Sequence, residues 1–130
     1  VEKQYVLVKV LYDTGNADAR YFAALCADGT RMTKADMRKW AKAADWHFLR
    51  EYAVAQLISE TKQGWDLVLE FIDAKKENVA CCGWSTLSNC ISFRPETEVN
   101  VTAVMGLLKR LEDTIRDRPN RLRFTMCTLF

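Results

Sequence analysis

Proline and glycine are scarce in this chain, two and five among 130 residues. That argues against sheets joined by many tight turns, which rely on glycine's free backbone and proline's fixed φ. Histidine occurs once, as His47. The five cysteines, Cys26, Cys81, Cys82, Cys90 and Cys127, are odd in number and form no C-x-x-C pair. A zinc site is therefore not expected; reduced, mostly buried thiols of a cytoplasmic protein are. No apolar run approaches the ~18 residues of a membrane span, and no signal peptide is visible. There is no Gly-rich phosphate loop and no Ser-His-Asp pattern, so no motif supports a small-molecule enzyme.

What is present fits an ordinary globular domain with a real core: 49% hydrophobic and 28% charged residues. The formal net charge of +2 permits nucleic acid without demanding it. The chain starts at Val1 without a methionine and ends on an apolar run, Met126, Cys127, Thr128, Leu129 and Phe130, with no cap. The expectation is a single helical-repeat domain over residues 1–130, excised from a longer chain.

The centre of the pattern is residues 40–60, WAKAADWHFLREYAVAQLISE. It reads as the end of one helix, a break at Ala44-Asp45, and the start of a second helix with Asp45 as N-cap. Leu49, Ala53 and Leu57 make an apolar stripe at four-residue spacing, and Trp46, Arg50, Val54 and Ile58 the neighbouring row.

The rest of the chain is helical too. Residues 4–12 carry β-branched side chains that would suit a strand, but lack a turn-flanked partner, so a helix is expected. Gly15-Asn16 breaks it: glycine takes the left-handed cap and Asn16 caps the helix over 17–27. Thr33 with Asp36 resembles a capping box, with Met37, Trp40 and Ala44 facing inward. Trp65, Leu69 and Ile72 set the stripe of a helix to about Ala74. Residues 79–93 follow, with Ala80, Gly83, Trp84, Leu87 and Ile91 on one side. Pro95 marks a loop, Val104, Leu108, Leu111 and Ile115 a long helix, and Pro119-Asn120 the start of the last.

A faint repeat of about 31 residues sets Tyr21–Leu25 over Tyr52–Gln56, and residues 52–57 over 83–88. Helix pairs at such a period characterise α-solenoids, whose second helices commonly line the concave face. The fold class expected is all-α, a HEAT-like α-α superhelix of about four antiparallel helix pairs.

Four stretches carry a resemblance: LYDTGNADARYFAALCAD, MTKADMRKWAKAADWHFLREYAV, ENVACCGWSTLSN and RPNRLRF. Together they resemble the DNA alkylation repair family, AlkD-like glycosylases built from HEAT-like repeats, over nearly the whole chain. The resemblance implies a C-shaped solenoid whose basic cleft holds duplex DNA. It also implies cleavage of the N-glycosidic bond of 3- and 7-alkylated purines without metal or organic cofactor. No metal, no cofactor, no membrane and a monomeric state are the corresponding expectations.

That chemistry can be tested on the residues. Bond breakage builds positive charge on the sugar, which a carboxylate stabilises; aromatic faces attract the cationic base and arginines hold phosphates. Trp46 fits the family's tryptophan. Its catalytic aspartate position, four residues on, holds Arg50, a cation that opposes the developing charge by ~4 kcal/mol at about 4 Å. Glu51 is adjacent, about 100° further round a regular helix, and is the substitute catalytic candidate. The next pair's arginine is replaced by Ala80-Cys81-Cys82.

Trp46, Arg50, Arg121 and Arg123 are the candidate DNA contacts. Arg116, Arg118, Arg121 and Arg123, with Lys109 and Arg110 upstream, form the best basic patch, diluted by Asp113 and Asp117. Duller roles stand beside these: Trp46 as a packing residue, Arg50 and Glu51 as a solvated face or pairs with neighbouring helices. Asn78, Cys82, Ser85 and Asn89 form a small uncharged row that lets a backbone or ligand approach. The alternative function is a non-catalytic module binding DNA or a protein partner on the concave face; a neutral or acidic face would favour the protein.

Overall fold

The computed structural model describes residues 2–127. Val1 and the end of the apolar terminal run, Thr128, Leu129 and Phe130, lie outside the described residues. Eight α-helices and no strand occur among the described residues: α1 Glu2–Asp13, α2 Ala17–Cys26, α3 Lys34–Ala43, α4 Ala55–Ser59, α5 Gly64–Phe71, α6 Glu77–Phe93, α7 Val101–Thr114 and α8 Asn120–Cys127. They form an α-α superhelix of four antiparallel pairs. Helix α2 packs on the π-helical segment Leu49–Val54 that leads into α4, α4 packs on α6 and α6 on α8, so these elements make a continuous inner layer. None of the helices is long and apolar enough to cross a membrane.

Local chemistry sets three of the helix starts. Gly15 is left-handed at φ 80°, and Asn16 Oδ1 accepts from the Ala19 amide at 3.0 Å. Thr33 and Asp36 form a complete capping box. Asn100 caps α7 through the Ala103 amide. Each satisfies a donor that the first helical turn leaves unpaired.

Two cores are buried between the layers. The larger joins α1 to α6 around Tyr12, Met37, Trp40, Leu49 and Ile58; the smaller joins Val68, Trp84 and Leu87 to Leu107, Leu111, Leu122 and Met126. Tyr12 stacks on Trp40 at 4.0 Å and donates its hydroxyl to the Trp40 carbonyl at 2.6 Å. Helix α6 is buried on nearly every side from Val79 to Leu87. Gly83 is the reason it can be: a Cβ there would stand 2.8 Å from the Ile72 nitrogen and 2.8 Å from Phe71 Cβ.

Three expectations need correcting. Asp45 does not cap the central helix: it is exposed, and the first helical bond runs from the Arg50 amide to the Trp46 carbonyl at 3.0 Å. The four-residue stripe is not a regular α-helix either, since Leu49–Val54 is π-helical, with the Ala55 amide donating to the Arg50 carbonyl. In α5 the buried positions are Leu67, Val68 and Phe71, with Leu69 and Ile91 of α6 left exposed. Leu69 lies too far round the turn from the face that α6 covers.

Candidate nucleic-acid interface

The inner layer presents aromatic side chains to solvent. Tyr21 of α2 lies 5.9 Å from Trp46, Trp46 lies 5.4 Å from Phe48, and Phe48 stacks on Tyr52 at 5.5 Å between ring centroids. His47 lies 4.3 Å from Phe48. Trp46, Phe48 and Tyr52 remain 36%, 45% and 56% exposed. Four linked rings on an open face form an apolar patch of the kind that marks a binding surface.

Beyond Tyr52 the row opens into a groove of about 380 Å³, lined by Glu51, Tyr52 and Gln56 from one side, Ser85, Ser88, Asn89 and Phe93 of α6 from the other, and Phe124 of α8 at the end. A second hollow of about 510 Å³ continues past Gln56, Asn89 and Phe93 to Arg94. Arg94 donates to the Ser59 carbonyl at 2.9 Å and the Thr61 carbonyl at 2.6 Å, closing the C-terminal end of α4.

Beneath this face lies a buried ionic cluster. The wider π-helical turn carries two consecutive side chains, Arg50 and Glu51, to the inside; they are 5% and 8% exposed. Arg50 Nη1 donates to Asn78 Oδ1 at 3.0 Å and to the Ala44 and Asp45 carbonyls at 3.4 and 3.3 Å. Its Nη2 meets Glu51 Oε2 at 3.2 Å. Arg121 of α8 reaches back to both Glu51 oxygens, at 2.7 and 3.0 Å, and the Thr125 hydroxyl donates to Oε1 at 2.9 Å. Buried charges are tolerated when paired and hydrogen-bonded in this way.

The sequence candidates thus separate. Trp46 is on the open aromatic face. Arg50 and Glu51 are inside, bonded to each other and to neighbouring helices. Arg121 is held by Glu51 and lies 4.7 Å over the Phe124 ring. Arg123 is exposed, about 200° round α8 from Arg121. The basic patch is dispersed, with Arg110 paired to Asp73. Phe48, Tyr52, Gln56, Phe93 and Phe124 escaped the sequence reading; the i, i+4 pair Phe48 and Tyr52 was the available signal. Burial pushes the Cys82 thiol up to about 12 and raises Cys81 and Cys90, the opposite of what a thiolate nucleophile needs. Among the described residues no cluster of His, Cys, Asp and Glu could hold a metal.

No family model matches the chain. The uncharacterized proteins Lin0241 of Listeria innocua and Lmo0209 of Listeria monocytogenes are each 25% identical over 126 residues, covering 95% of this chain and 53% of theirs. A solved structure superposes with a TM-score of 0.92 at 30% identity over 96% of this chain and 53% of that one. It is described as a new family of proteins related to the HEAT-like repeat DNA glycosylases with affinity for branched DNA structures. The chain spans about half the length of these relatives. Its fold is the HEAT-like repeat fold that this neighbour shares with DNA glycosylases.

Proposed function

We propose that this chain is a DNA-binding HEAT-like module that holds branched DNA against the aromatic face of its inner layer. The observation that carries this reading is the exposed row Trp46, Phe48 and Tyr52, flanked by the half-buried Tyr21, on a fold that superposes on a protein described as having affinity for branched DNA. Trp46 contacts the DNA directly and Arg123 neutralises a phosphate, while Arg50 and Arg121 serve through the buried cluster.

Base excision is the less well supported activity. A glycosylase carboxylate must face the sugar and orient water. Glu51 lines the groove, but both its oxygens are already engaged by Arg50, Arg121 and Thr125, so a water would have to compete with three partners for the carboxylate.

A second reading rests on the ring-lined groove: a protein partner would seat an apolar surface on the same rings. Fluorescence anisotropy with a labelled four-way junction and a linear duplex of equal length separates the two. Tighter, salt-dependent binding of the junction is expected. No binding of either DNA sinks the DNA reading and leaves the protein partner. Incubation with duplex carrying 7-methylguanine is expected to release no base; release above the protein-free control would restore the glycosylase activity.

A further inference from the structure

Resting on the DNA-binding reading, we propose that the groove between Tyr52, Asn89, Phe93 and Phe124 receives an unpaired nucleobase. Among the described residues that line this groove none is a cation. Arg121 is tied to Glu51, Arg94 is spent on the Ser59 and Thr61 carbonyls, and Lys62 lines only the neighbouring hollow, together with Glu60 and Glu98. What the groove offers instead is flat rings and uncharged side chains, and its one charged lining residue, Glu51, is already paired with Arg50 and Arg121. Tyr52, Phe93 and Phe124 are 56%, 79% and 57% exposed, and every base has a π-face to stack on such rings.

The floor supplies hydrogen bonding. Ser85, Ser88 and Asn89 line the groove, and their side chains make no hydrogen bond within the described protein. Gln56 spends its amide N–H on Glu60 and keeps its carbonyl oxygen. An amide offers a donor and an acceptor side by side, the pairing that matches a base edge. The groove volume of about 380 Å³ lies in the range of small-ligand sites. Where a branch point leaves a base unpaired or unstacked, this groove supplies a reason for a preference for branched over linear DNA.

The test uses the full chain and a duplex with one bulged 2-aminopurine, beside the same duplex with an abasic tetrahydrofuran at the bulge. The phosphates are identical, so only the base differs. Quenching of 2-aminopurine and about tenfold tighter binding of the base-bearing bulge are expected. Tyr52→Ala and Asn89→Ala lose that ratio and Tyr52→Phe keeps it, while Trp46→Ala weakens both DNAs alike. Equal affinity of the wild type for the two bulges overturns the base groove and leaves DNA binding standing. An unchanged ratio in Tyr52→Ala also overturns it, and no binding of either DNA overturns both readings together.

Discussion

Glu51 and Arg121 stand 70 residues apart in sequence and meet in a two-bond ion pair at 2.7 and 3.0 Å. Through Glu51 the pair extends to Arg50, so the π-helical segment and α8 are joined beneath the aromatic face. The residue that sequence reasoning offers as a catalytic carboxylate is thereby the hub of a structural cluster.

Removing that hub leaves Arg50 buried without its counter-charge. Glu51→Ala is expected to lose about 3–5 kcal/mol of stability, read by urea unfolding. Glu51→Gln retains an acceptor and loses less. Wild-type stability in Glu51→Ala would show that the cluster does not hold α8 in place.

Asp36 carries a pH dependence. Burial alone would raise its pKa, but hydrogen bonds from Lys9, Thr33 and Tyr5 outweigh it and hold the carboxyl at about 2. The unfolded chain, with an aspartate near 3.9, takes up the proton first. The contribution, about 2 kcal/mol, is full above about pH 4 and drains away as the pH falls towards 2. Unfolding free energies at pH 6 and pH 2.5 should differ less in Asp36→Asn than in the wild type; equal differences would show that other carboxylates govern acid unfolding.

Two glycines should respond with opposite signs. In a helix alanine is favoured over glycine by about 1 kcal/mol. At Gly106 of α7 an added Cβ meets nothing within 4 Å, so Gly106→Ala should raise the melting temperature. At Gly83 the Cβ would press on the Ile72 nitrogen and Phe71 at 2.8 Å, and overpacking costs about 1–3 kcal/mol. Gly83→Ala should melt lower; a higher melting temperature would mean that α5 and α6 separate freely.

The arginines should part in their salt dependence. Arg123→Ala is expected to reduce the slope of log affinity against log salt by about one. Arg50→Glu should destabilise the protein, because it puts a second carboxylate beside Glu51, and should leave that slope unchanged in the molecules that remain folded. A flattened slope in a fully stable Arg50→Glu protein would place Arg50 on a phosphate after all.

What the sequence determined by itself is local. Asn16, the Thr33 and Asp36 box and the Gly15 break act within three or four residues, so the chain carries them wherever it goes, and helix type and order could be read directly. The inward Trp40 and Trp84 followed from periodicity. Periodicity misled where a neighbour decided: Leu69 looks like a stripe residue, yet α6 covers the other side of α5. The π-helical turn at Leu49–Val54 has no spacing signature, and its wider turn is what sends Arg50 and Glu51 inward together. Only tertiary structure could bring Arg121 to Glu51 and set Phe93 and Phe124 beside Tyr52, because the charge and stacking energies that select those contacts exist only once helices distant in sequence have packed.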